Sequence, residues 1–214
     1  MKVIAINGSP RKNANTSSLL TAALEGAESS GAETKLIHLY DYSYTGCTSC
    51  FACKVKGPSF ENTVCSVRDE LQPILEESIN ADVLLLGSPI YFGHLTAMML
   101  AYLERLIYAV TTYDKEMPAK PCGPVNGAFF YTMNGNDERA EKSRPQFEAN
   151  ERLLSRLGGS FSTYSATDTM QFDDYSRYHA SRVDSAAKAA RHETQFKIDL
   201  ENAREIGIRL ASEK

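Results

Sequence analysis

The chain has no apolar run long enough to cross a bilayer and no large surplus of charge of one sign. Lysine and arginine number 23 against 27 for aspartate and glutamate, a net charge of −4. This mild acidity offers none of the basic surplus that nucleic acid or an anionic membrane surface attracts, so neither is expected as a partner. A signal-peptide pattern is missing as well, since Met1-Lys2 runs directly into a short strand, and a cytoplasmic location is expected. Two phosphate-loop fingerprints are absent: no lysine precedes Thr16, as a nucleoside triphosphate loop requires. Of the three glycines of a dinucleotide loop only Gly8 is present. Cysteine is scarce and odd in number, five, with three crowded at Cys47, Cys50 and Cys53. That pattern argues against a disulfide framework and for free thiols or a metal site.

What is present begins at the N-terminus. The apolar run Val3-Ile4-Ala5-Ile6 breaks at Gly8 into a hydroxyl-rich loop, and Leu19, Leu20, Ala23, Leu24 and Ala27 then recur with helical spacing. A strand that enters a helix through such a loop makes an anion site, because the first N–H groups of a helix have no intrahelical acceptor. Ser9, Asn15, Thr16, Ser17 and Ser18 add side-chain donors, and Arg11 adds a fixed charge suited to phosphate oxygens. Many hydroxyls with few glycines fit a single terminal monophosphate. A helix cap needs one such residue, not five.

Strand and helix patterns alternate along the chain. Strands are expected at 2–7, 34–39, 82–87, 127–133 and 160–166, and helices at 16–30, 69–79, 95–110, 139–157 and 186–210. Val83-Leu84-Leu85-Leu86 has the continuous apolar character of a strand covered on both faces. This order predicts a doubly wound α/β sheet with right-handed crossovers, in one domain spanning 1–214. Two stretches stand outside it: a cysteine-bearing connection at 41–67 and a polar, aromatic insertion at 167–184 with Phe172, Tyr175 and Tyr178.

Gly8-Ser9-Pro10-Arg11 with Asn15-Thr16, followed by Gly87-Ser88-Pro89-Ile90-Tyr91-Phe92-Gly93, resembles the flavodoxin-like NAD(P)H-dependent FMN reductases, near the iron–sulfur flavoprotein branch. The resemblance is close over residues 1–135 and loose beyond. It implies a flavodoxin-like, five-stranded parallel sheet of order 2-1-3-4-5, with ligand at the carboxyl ends of strands one and three. Those ends carry the two quoted loops.

On this resemblance Ser9, Arg11, Asn15, Thr16 and Ser17 surround the FMN phosphate, and Pro89, Ile90, Tyr91, Phe92 and Gly93 line the isoalloxazine. Proline would hold the second loop extended and aim successive N–H groups outward. Tyr91 and Phe92 would give aromatic faces, and Gly93 would permit close backbone approach. Thr132, Asn134 and Gly135, in a third loop after strand four, are expected near the pyrimidine edge. No catalytic protein acid is expected, because the cofactor carries the hydride chemistry; His94 is read as a surface residue.

Cys47-x2-Cys50-x2-Cys53 followed by Cys65 has the residue types of a four-thiolate [4Fe-4S] site. Residues 54–64 make a longer gap than the compact motif of the iron–sulfur flavoproteins, so thiols in a capping loop are the favoured reading and no metal ligand is assigned. Zinc is a third reading. Cys122 belongs to none of these. The expected activity is FMN-dependent oxidation of NAD(P)H, with electrons passed to a flavin, a quinone or another small acceptor. The alternatives are an iron–sulfur flavoprotein that transfers electrons through FMN and a cluster, and a non-catalytic flavin binder. A homodimer or homotetramer is expected, with flavin near the interface and aromatic residues supplying contacts.

Overall fold

The computed structural model describes residues 1–57 and 64–213. Pro58, part of the gap before Cys65, lies outside the described residues. Five parallel strands form one sheet: β1 (Lys2–Asn7), β2 (Glu33–His38), β3 (Val83–Pro89), β4 (Val125–Thr132) and β5 (Gly158–Ala166). Their order is β2-β1-β3-β4-β5, as the resemblance implied. The helices are α1 (Asn15–Ser29), α2 (Gln72–Ile79), α3 (Ala97–Val110), α4 (Asp137–Leu154), α5 (Ser185–Glu193) and α6 (Gln195–Ser212).

Strand alternation explains the apolar runs. Ile4, Ile6, Leu84, Leu86, Phe129 and Tyr131 face one core, packed with α2, α3 and α4 through residues such as Leu75, Leu106 and Phe147. Val3, Ala5, Val83, Leu85, Ala128 and Phe130 face the other, packed on α1 and α6 through Leu20, Ala23 and Ala203. Both faces are covered, so no polar alternation survives in the central strands.

One expectation is corrected. The closing helix predicted over 186–210 is two helices, broken at Thr194 (φ −115°, ψ −75°). No proline or glycine marks the break. Thr194 instead sits between His192 and Phe196, whose rings stack at 5.0 Å across the junction.

Candidate functional site at the strand ends

β1 and β3 pair in parallel with Asn7 opposite Gly87, which brings their following loops side by side. The Gly8 N–H donates to the Gly87 carbonyl at 2.8 Å. Thr96, the N-cap of α3, donates its hydroxyl to the Gly8 carbonyl at 2.7 Å, and its N–H reaches Ser88 Oγ at 3.2 Å. A Cβ at Gly87 would stand 2.8 Å from Leu20 Cδ1 and 2.9 Å from Thr16 Cγ2. The missing side chain therefore lets the first turn of α1 press against β3.

The start of α1 is open. Ala14 occupies the N-cap position and no side chain caps the helix. The N–H groups of Asn15, Thr16 and Ser17 lie in the first turn, where no intrahelical acceptor exists. Hydroxyl-rich sequence there is thus not a helix cap. Ser9, Thr16 and Ser17 are buried at this turn. Ser9 Oγ accepts from the Arg11 N–H at 3.2 Å, and Thr16 Oγ1 pairs with Thr132 Oγ1 at 2.7 Å. Arg11 and Asn15 are already engaged: Arg11 Nη1 donates to the Gln171 carbonyl at 2.6 Å, and Asn15 Nδ2 to the Met170 carbonyl at 2.8 Å. The insertion after β5 therefore folds onto the loop, and a cavity of about 630 Å³ lies between Arg11, Asn15, Phe172, Tyr178 and His192. Its aromatic residues meet one another, Phe172 stacking on Tyr178 at 3.9 Å and meeting Tyr175 edge-on at 5.2 Å.

The second loop differs from the extended display predicted for it. Tyr91 and His94 exchange backbone hydrogen bonds of 2.8 and 3.0 Å around a two-residue turn. Phe92 (φ 52°) and Gly93 (φ 86°) are both left-handed, the backbone of a type I′ turn. Pro89 has no N–H, Tyr91 is bonded within the turn, and the Ile90 N–H donates to the Thr132 carbonyl at 2.9 Å. Within this loop the Phe92 and Gly93 N–H groups have no backbone partner among the described residues. Phe92 is wholly exposed, Tyr91 is 43% exposed, and the Cβ position at Gly93 faces open space.

The third loop is held from behind. Asn134 offers its carbonyl to Lys188 Nζ at 3.0 Å, and Gly135 offers its own to the Asp168 N–H at 2.7 Å. Lys188 is buried and also pairs with Asp168. Thr132 joins all three loops, by its hydroxyl to Thr16 and its carbonyl to Ile90. No sequence pattern singles out Met170, Gln171 or Lys188, which hold these loops. The first two act through backbone carbonyls, which leave no sequence signal.

Cys47, Cys50, Cys53 and Cys65 line one small cavity, despite the long gap before Cys65. The Cys47 N–H is held by Glu104 Oε2 at 3.0 Å, and Ser49 (φ 54°) and Phe51 (φ 57°) turn the chain through left-handed conformations. Arg105, wholly buried, reaches the same cavity from α3. It donates to Asp69 Oδ1 at 2.9 Å and to the Val67 and Thr45 carbonyls at 3.1 and 3.3 Å. Burial alone would lower the Arg105 pKa; its bond to Asp69 and the neighbouring Cys65 outweigh burial and raise it. Asp69 mirrors this: burial pushes up, but Arg105 holds the carboxyl below its ordinary value. Among the described residues no three His, Cys, Asp or Glu side chains converge as one bound ion would require. The four cysteines do line one cavity, and four thiolates are the donor set of a four-iron cluster. Cys122 lies apart, its thiol pKa raised by burial.

A doubly wound parallel sheet of order 2-1-3-4-5 with an open helix N-terminus at its switch point defines a flavodoxin-like fold. The chain belongs to the NADPH-dependent FMN reductase family, whose model matches residues 1–166. Similar curated proteins include an iron–sulfur flavoprotein of Archaeoglobus fulgidus, 37% identical over 50% of this chain and 46% of the relative. Another, from Methanocaldococcus jannaschii, is 38% identical over 49% of this chain and 51% of its own length. The chain thus spans about half the length of these relatives. Among solved structures, an NAD(P)H:quinone oxidoreductase from Methanothermobacter marburgensis aligns over 100% of this chain and 98% of its own (TM-score 0.66, 15% identity). An azoreductase from Bacillus anthracis aligns over 98% and 99% (TM-score 0.63, 14% identity). At these identities the structural likeness concerns the fold. No helix of the described residues is long and apolar enough to cross a membrane.

Proposed function

We propose that the protein holds FMN across the carboxyl ends of β1, β3 and β4, oxidises NAD(P)H, and passes the electrons to a flavin, a quinone or another small acceptor. The observation that carries this is the uncapped start of α1 together with a turn at the end of β3 whose Phe92 and Gly93 N–H groups have no backbone partner among the described residues and whose Gly93 Cβ position meets open space. The first is a phosphate-sized donor set with Ser9, Arg11, Asn15, Thr16 and Ser17 around it. The second, Phe92 and Gly93, suits the electron-accepting edge of a flavin, with Tyr91 and Phe92 offering ring faces. Thr132, Asn134 and Gly135 close the pyrimidine side. When bound, FMN supplies the hydride and one-electron chemistry. The protein's part is binding, orientation and a donor field that favours added negative charge on the ring. Family membership and the NAD(P)H:quinone oxidoreductase among the structural neighbours support the same activity. FMN titration with NADH and NADPH oxidation assays tests it; absence of both would refute it.

A second reading follows from the cavity shared by four cysteines. The long gap made thiols the favoured reading from sequence; the folded arrangement and the names of the curated relatives favour a [4Fe-4S] cluster on Cys47, Cys50, Cys53 and Cys65. A homodimer or homotetramer is part of the proposal, since Tyr91 and Phe92 leave the proposed ring site open on one side. A cytoplasmic location is consistent with five free cysteines.

A further inference from the structure

Arg105 carries one hydrogen-bonding group with no acceptor. Its Nη1 and Nη2 are committed to Asp69, Thr45 and Val67. Nε is buried and finds no acceptor among the described residues. A buried, unpaired guanidinium N–H is costly and calls for a reason. Its side chain lines the cysteine cavity, with Cys65 as its neighbour there. The bidentate contact with Asp69 fixes the guanidinium plane, so Nε cannot swing away to seek another partner.

Resting on the cluster reading above, we infer that Arg105 is a positioning and tuning residue for the cluster, its Nε–H donating to a sulfur on the Cys65 side. The chemistry is favourable. A cluster held by four thiolates is anionic and becomes more so on reduction, and N–H donors to its sulfurs stabilise the reduced form. Asp69 offsets part of the guanidinium charge but leaves the Nε–H unpaired beside the cysteine cavity. Arg105 thus raises the potential and makes the cluster a better acceptor for electrons from the flavin.

The test uses anaerobically purified holoprotein, wild type and Arg105→Lys, with iron and sulfide assayed and the cluster potential measured by EPR-monitored titration. Lysine keeps the cation opposite Asp69 and removes the Nε donor. The expected result is retained iron with about a tenfold weaker hold on the added electron, roughly 59 mV for one electron, and an unchanged flavin potential. An unchanged cluster potential overturns the inference. A second readout needs no variant: reduced wild-type protein labelled with 15N-arginine should show a nitrogen coupling in pulsed EPR. Its absence likewise overturns the role of Arg105. Wild-type protein devoid of iron refutes the cluster reading itself, a distinct failure that the iron assay identifies first.

Discussion

Thr16 and Thr132 face each other across the sheet ends with hydroxyls 2.7 Å apart and both side chains buried. The pair locks the first turn of α1 to the end of β4. With Thr132 donating to Thr16, the Thr16 proton is left for an anion at the helix start. The proposed phosphate and pyrimidine ends of the site are thereby set by one hydrogen bond.

Thr16→Val should remove that bond and leave the Thr132 hydroxyl buried and unpaired, costing about 1–3 kcal/mol of stability. FMN affinity should fall roughly tenfold or more, since a donor to a charged oxygen is lost as well. Thr132→Val should cost similar stability but less affinity. Urea midpoints and FMN titrations on both variants separate the two effects, and equal affinity losses would contradict the assignment.

FMN should bind more tightly than FAD. Only Gly8 of a dinucleotide fingerprint is present, and the carbonyls of Met170 and Gln171 close the outer side of the loop through Asn15 and Arg11. Competition between the two flavins on apoprotein measures this directly. Preference for FAD would refute a terminal-phosphate site.

Gly93→Val should cost about 1–3 kcal/mol, because valine resists the φ of 86° there. No neighbouring atom would clash with the new Cβ, so the loss arises from backbone strain and from bulk placed where the ring would lie. Gly93→Asn tolerates left-handed backbone and should keep more of the fold's stability. Flavin occupancy after purification is the readout, and full occupancy in Gly93→Val would misplace the ring.

Asp69 gives a pH signature. Its folded carboxyl titrates below the ordinary value because of Arg105, so the unfolded chain takes up a proton first as pH falls. The stabilisation is complete above the ordinary carboxylate pKa, about 4, and is lost as pH drops through the lowered folded value. Asp69→Asn should lose about 2–3 kcal/mol near neutrality, less than a fully buried pair because Asp69 is partly exposed. Its stability should vary less with acid than wild type. Parallel acid profiles in urea would contradict the pairing.

The sheet order and the two strand-end loops were legible because buried strands, loop glycines and helical spacing are all local patterns. Side-chain commitments were less so. The turn at Phe92-Gly93 cuts the expected display down to two N–H groups because Ile90 and Tyr91 spend theirs on Thr132 and His94. Arg11 and Asn15 were readable as anion donors, but their bonds to the insertion run to backbone carbonyls, which any residue supplies. Cys65 looked too distant in sequence, yet the fold places it on the same cavity as Cys47, Cys50 and Cys53. The break at Thr194 carries no proline or glycine, so it could not be read locally.

The central claim is FMN-mediated oxidation of NAD(P)H at this site. Its most direct test is anaerobic mixing of FMN-loaded protein with NADH or NADPH while the blue flavin absorption band is followed. The account predicts that the band bleaches with at least one nicotinamide, and that it recovers when a quinone or free flavin is added. FMN that stays bound and fully oxidised in the presence of both nicotinamides would contradict it.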